Sequence, residues 1–70
     1  IGKNCFISSG VTLAGSVIIE DDCWIAPSVT IVNKVLIRKK SFISIGSLVS
    51  KDTEERGFYA GSPARKIKNV

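Results

Sequence analysis

Every sixth residue from the first is aliphatic: Ile1, Ile7, Leu13, Ile19, Ile25, Ile31, Ile37, Ile43 and Val49. Four residues after each stands a second row, Cys5, Val11, Val17, Cys23, Val29, Val35, Ser41, Ser47 and Thr53, all small or β-branched. A helix repeats every 3.6 residues and a strand every two, so neither produces a step of six. A short strand and a turn in each hexad does. The aliphatic residue then fills a corner of a prism and the small one packs beside it.

A period of eighteen lies inside the period of six. The residues just before the aliphatic positions include Phe6, Trp24 and Phe42, then Thr12, Thr30 and Leu48, then Ile18 and Leu36. Three hexads close one triangular coil, so residues eighteen apart stack at the strand spacing of about 4.8 Å. The expectation is an all-β parallel β-helix, residues 1–54, with coils 1–18, 19–36 and 37–54. After Thr53 the period breaks at EERG, and residues 55–70 form a C-terminal turn and capping strand. In FYAGSPARKIKNV that strand leaves the prism, turns at Gly61 to Pro63, and lays Ile67 back against it. The apolar share of 44% with 23% charged residues belongs to a folded chain, and seventy residues allow one domain. With the aliphatic rows inside, Phe6, Trp24 and Phe42 point outward; such a row can simply shield the strands, and the favoured reading is a subunit interface and groove wall.

The stretches VTLAGSV, IEDDCWIAPSVTI, ISIGSLVSKD and AGSPARKIK carry a resemblance. The chain resembles the hexapeptide-repeat acyltransferases, whose members commonly close on IGAGSVVTKD and then AGNPAR. That likeness implies a left-handed parallel β-helix, a hand that runs against the usual crossover rule and that spacing alone does not give. IGKNCF beside VTLAGSV, and the ending ERGFYAGSPARK, are most similar to acetyltransferases of amino-sugar nucleotides and sialic acids. The resemblance implies transfer of the acetyl group of acetyl-coenzyme A to a small-molecule sugar hydroxyl or amine. It also implies that the cofactor lies in a groove parallel to the prism axis, between subunits. A cytoplasmic compartment is expected from the two cysteines and the lack of a visible signal peptide, and a homotrimer from the small core and the outward aromatic and Ile18/Leu36 rows.

Site residues follow from matching positions. Ser8, Ala26 and Ser44 stack as a column of small residues, a floor on which a pantetheine arm can lie against backbone amides and carbonyls. Small residues also simply permit tight turns. The resemblance implies cofactor contacts at Gly15, Ala26, Pro27, Ser44 and Ile45, where Ile45 replaces the usual Ala or Gly and narrows the groove. Ser50, Lys51, Arg65 and Lys68 match positions near the 3′-phosphate and pyrophosphate of coenzyme A, which favour cationic donors.

Charge and the missing residue types limit the chemistry. Lys and Arg outnumber Asp and Glu ten to six, a balance of +4 that suits an anionic ligand and is also ordinary for a soluble domain. No nucleic-acid motif accompanies it. There is no histidine, which removes most zinc sites, the γ-class carbonic anhydrases that share the fold, and the usual general base. No apolar run approaches the roughly 20 residues of a membrane span, and no signal peptide is visible. Cys5 and Cys23 are too few for a disulfide scaffold; stacked one coil apart they can be bridged, yet small core filler is the expected role. Arg38, Lys39 and Lys40 form a basic turn with Arg38 over Glu20. The chain starts at Ile1 and has no Met, so we expect a C-terminal piece of a longer protein. By resemblance, a His and an acidic residue precede the stretch matching Ile1–Gly2. Asp21, Asp22, Asp52, Glu54 and Glu55 have no His to orient, so no catalytic residue and no metal ligand is expected within the chain. Two readings remain: the cofactor-binding part of an acetyltransferase, or a non-catalytic β-helix that serves as a trimerisation scaffold or relic. Coenzyme A binding separates them.

Overall fold

The computed structural model describes residues 1–70. Eight two-residue strands follow one another at six-residue intervals: β1 (Phe6–Ile7), β2 (Thr12–Leu13), β3 (Ile18–Ile19), β4 (Trp24–Ile25), β5 (Thr30–Ile31), β6 (Leu36–Ile37), β7 (Phe42–Ile43) and β8 (Leu48–Val49). Two longer strands, β9 (Gly57–Gly61) and β10 (Ala64–Asn69), end the chain. All pairing among β1–β8 is parallel and offset by eighteen, as in Phe6↔Trp24, Thr12↔Thr30 and Ile18↔Leu36. The result is a left-handed parallel β-helix of about three turns. Its first face holds β1, β4 and β7, its second β2, β5 and β8, and its third β3 and β6. No helix is long and apolar enough to cross a membrane.

The two inward rows form the core. Ile25, Ile31, Ile37 and Ile43 are fully buried, and Cys23, Val29, Val35, Ser41, Ser47 and Thr53 are buried beside the aliphatic row. First-coil members Cys5, Ile7, Val11 and Val17 are partly buried and pack against this core. A third row was not anticipated. Asn4, Gly10, Ser16, Asp22, Ser28, Lys34, Lys40 and Gly46, again six apart, all have φ between 56° and 74°. Each corner is therefore turned by one left-handed residue, which suits Gly, Asn and Asp and strains Lys by roughly 1 kcal/mol.

Cys5 and Cys23 are free thiols. Each donates to the corner carbonyl of the coil above, Cys5 Sγ to Glu20 O at 3.0 Å and Cys23 Sγ to Arg38 O at 3.2 Å. Ser41 Oγ makes the equivalent bond to Glu54 O at 3.2 Å. The first two bonds span fifteen residues and the third spans thirteen. The last rung is thus two residues short.

That shortening corrects the expected course of the tail. The chain does not leave the prism after Thr53: β9 pairs with β7 in parallel, Phe42↔Phe58 and Ile43↔Tyr59, as a fourth rung of the first face. Tyr59, 8% exposed, fills the interior corner, and its Oη accepts the Glu54 amide at 2.7 Å. Gly57 is required here, since a Cβ would meet the Tyr59 ring and lie 3.2 Å from Glu54 O. In place of a single capping strand, β10 then folds back antiparallel on β9. Ile67 is not laid against the prism. It sits at the bulge between Lys66 and Lys68 and is 61% exposed, because the register shift takes it out of the ladder and Tyr59 already occupies the corner.

Candidate functional site

Three corners join the three faces, and their compositions differ. The first corner, between the first and second faces, consists of residues 8–10, 26–28 and 44–46 and carries no charge. Neither does the adjoining outward row of the first face. There Phe6, Trp24, Phe42 and Phe58 stack in one column, with successive centroids 4.2, 5.7 and 4.9 Å apart. Interplanar angles of 21°, 6° and 7° mean that the rings cover one another's faces and turn their edges outward. The aromatic row points outward as expected, with Phe58 as a fourth member.

On the small-residue column, Ala26 is buried, Ser8 and Ser44 are half-buried, and Ile45 projects 67% exposed from the corner. The column's amides are already committed between coils: Ser8 N to Ile25 O, Ala26 N to Ile43 O and Ser44 N to Tyr59 O, at 3.0, 3.0 and 2.9 Å. Pro27 O accepts the Gly46 amide at 3.0 Å. At these three positions the floor presents hydroxyls and apolar surface, while the Ile45 amide beside it makes no bond between coils.

The second corner, between the second and third faces, consists of residues 14–16, 32–34 and 50–52. Gly15, Asn33 and Lys51 stack there, with open space around Gly15. Above it the β9–β10 turn comes down. Ser50, Lys51, Pro63, Ala64 and Arg65 line a cavity of about 110 Å³. The fold brings Lys51, from the end of the third coil, and Arg65, from the start of β10, to one small space beside a serine. Pro63 and Ala64 were not anticipated as lining; the AGSPAR turn that holds them was the available signal. Lys68 belongs elsewhere. It pairs with Phe58 across β9 and β10, and its Nζ sits 5.6 Å over the Phe58 ring, closing the aromatic column.

The nine expected contacts thus fall into separate groups. Ala26, Pro27, Ser44 and Ile45 lie on the first corner, and Gly15, Ser50 and Lys51 on the second. Arg65 faces the cavity, and Lys68 stands apart on the column.

The carboxylates serve the fold. Asp21 Oδ1 accepts the Lys3 amide at 2.7 Å, Asp52 Oδ1 accepts the Leu36 amide at 2.8 Å, and Glu54 pairs with Lys66 at 2.9 Å. No group of three or more Cys, Asp or Glu is close enough to hold a metal ion. Burial pushes the Cys23 thiol up to about 11, so it is protonated at neutral pH and a poor nucleophile. The arrangement provides a small cavity lined by two cations and a serine, and an uncharged panel beside it.

Residues 1–33 match the family model described as bacterial transferase hexapeptide (six repeats). Over 78 aligned residues the chain is 37% identical to a 2,3,4,5-tetrahydropyridine-2,6-dicarboxylate N-acetyltransferase of Bacillus licheniformis, covering 100% of this chain and 33% of that protein. Among solved structures, the Arabidopsis UDP-N-acetylglucosamine acyltransferase superposes with a TM-score of 0.95 at 29% identity, over 99% of this chain and 24% of that one. A hexapeptide-repeat acetyltransferase of Vibrio cholerae, solved with acetyl-coenzyme A, gives 0.75 at 34% identity over 76% of this chain and 29% of that one. The chain spans about a third of the length of the curated relatives it matches.

Proposed function

The chain belongs, by its repeat and its fold, to the hexapeptide-repeat transferases, and on that premise we propose that it is the coenzyme A-binding end of an acetyltransferase. The observation that carries this reading is the meeting of Lys51 and Arg65 with Ser50 at one cavity of about 110 Å³. That space suits a phosphate group and not a whole nucleotide. Two cations and a hydroxyl are donors for a terminal phosphate of coenzyme A. The pantetheine arm then runs along the uncharged first corner, over Ala26, Pro27, Ser44 and Ile45. An acceptor of the sugar or amino-sugar nucleotide class is supported by the likeness to the UDP-N-acetylglucosamine acyltransferase and by the ending ERGFYAGSPARK. The N-acetyltransferase of Bacillus licheniformis acts on a dicarboxylate, so the likeness speaks for the acetyl donor more than for the acceptor. The aromatic column beside an uncharged corner suits burial against further copies of the chain, in a homotrimer in the cytoplasm. The general base is contributed from outside these seventy residues.

Calorimetric titration with coenzyme A tests the reading. Lys51→Ala and Arg65→Ala should each weaken binding by roughly 1–3 kcal/mol, the range for hydrogen bonds to charged groups. Lys68→Ala should cost less, and dephospho-coenzyme A should shrink the penalty at whichever residue holds the 3′-phosphate. No binding at millimolar coenzyme A would favour the non-catalytic scaffold, and equal binding by the variants would place the ligand away from this cavity.

A further inference from the structure

The inward rows are nearly self-similar. Ile19, Ile25, Ile31, Ile37 and Ile43 repeat one side chain through the core. Apolar packing alone therefore separates poorly the native stacking from one in which a coil is skipped and its neighbours close on each other. Registers that the hydrophobic pattern leaves degenerate must be specified by something else.

The third corner, between the third and first faces, is not self-similar. Rung by rung it carries Lys3, then Glu20, Asp21 and Asp22, then Arg38, Lys39 and Lys40, then Glu54, Glu55 and Arg56. The net charge of the layers alternates in sign, +1, −3, +3 and −1. The contacts there cross between neighbouring layers: the Lys3 amide donates to Asp21 Oδ1 at 2.7 Å, while Glu20 Oε1 accepts Arg38 Nε at 3.1 Å and the Lys39 amide at 3.0 Å. Lys39 Nζ reaches Glu55 Oε1 at 3.8 Å. Glu20, Asp21, Arg38, Lys39 and Glu55 surround a cavity of about 350 Å³ with no hydrophobic lining. By contrast the first corner is uncharged, and the second has only Lys34, Lys51 and Asp52.

We propose that the third corner is an electrostatic register clasp, which selects the native coil order and holds down the shortened rung leading into the terminal hairpin. If the second coil is skipped, Lys3 faces Arg38, Lys39 and Lys40. If the third is skipped, Glu20 and Asp21 face Glu54 and Glu55, and Arg56 is left opposite Asp22. Each alternative sets mostly like charges one strand spacing apart, whereas the native stack opposes unlike ones everywhere except at Lys40 and Arg56. The Arg38–Glu20 and Lys39–Glu55 side chains are between 37% and 53% exposed, and such pairs add little absolute stability. Discrimination needs only that every wrong stacking be worse.

The experiment reverses one layer. Lys39→Glu sets a carboxylate between Glu20 and Glu55, whereas Lys39→Gln only removes the charge. At low ionic strength the unfolding equilibrium constant of Lys39→Glu should exceed that of Lys39→Gln by about 3–10-fold, and the β9–β10 amides should exchange hydrogen faster. Adding Glu55→Lys to Lys39→Glu should recover part of the loss. About 1 M NaCl should bring the two single variants within twofold, because exposed charges are then screened within a few ångströms. Equal behaviour of the two single variants at low salt, or a difference that salt leaves intact, overturns the clasp. Should Lys39→Glu fail to fold at low salt, folding restored by salt supports the proposal and its absence refutes it.

Discussion

Removing a single oxygen from Tyr59 tests how the prism is closed. Tyr59→Phe keeps the ring in the corner, where the residue is 8% exposed, and deletes only the acceptor 2.7 Å from the Glu54 amide. That amide then faces a ring edge. If it stayed dry the cost would reach about 3 kcal/mol, the penalty for a stranded buried donor. Glu54 is at the surface, with its side chain 72% exposed, so water can reach the site and the cost falls to about 1–1.5 kcal/mol. Tyr59→Leu loses both the bond and the aromatic volume and should cost about 3 kcal/mol or more. Urea unfolding followed by fluorescence suits this comparison, because Trp24 is the one tryptophan and its ring stacks on both Phe6 and Phe42. For so small a domain each kcal/mol should also move Tm by about 4–8 °C. If Tyr59→Phe unfolds within 0.3 kcal/mol of the parent, roughly the resolution of such a measurement, while Tyr59→Leu is strongly destabilised, packing holds the corner and the hydroxyl argument is wrong.

Other outcomes are expected. Lys34→Asn relieves a left-handed corner at φ 64° and should raise stability by about 0.5–1 kcal/mol in the same urea assay. Cys23 should make the fold sensitive to alkali. Its thiol lies at about 11 when folded, above the ordinary 9.0, so the unfolded chain loses its proton first. The contribution is full below pH 9 and falls by on the order of 2–3 kcal/mol as pH rises to 11, a loss that Cys23→Ser should lack when the two are compared pH by pH. Residues 1–70 alone should transfer no acetyl group at an enzymatic rate, since they contain no histidine and a positioned base typically contributes 10²–10⁴-fold. A thiol-release assay with acetyl-coenzyme A and amino-sugar nucleotides checks this, and turnover equal to that of a longer chain would reveal a base among these residues.

The coils were legible because one chemical type, a branched aliphatic, recurs at Ile19, Ile25, Ile31, Ile37 and Ile43 without interruption. The left-handed row was not, because Asn4, Gly10, Ser16, Asp22, Ser28 and Lys34 share a backbone angle and no side-chain chemistry. Nor was the short last rung, where an aromatic Tyr59 replaces the aliphatic marker and arrives two places early. The spacing from Phe42 to Phe58, sixteen where the earlier aromatics are eighteen apart, was the trace of it. Among the cations, Lys51, Arg65 and Lys68 looked equivalent along the chain. Which of them face one cavity depends on alternation across β9 and β10, and that is set only once the hairpin has its register.

The hexad is the unit of the core, but the coil is the unit of orientation. An insertion of six residues placed at a corner would preserve both inward rows and pack as well as the parent. Everything above the insertion would nevertheless rotate by a third of a turn. The terminal hairpin would still close the prism, with Arg65 now brought over a different edge from the one bearing the lower coils' Gly15 and Asn33. Such a variant would fold normally and carry its cations on the wrong side. Only insertions of eighteen residues would lengthen the molecule and leave its edges aligned from end to end.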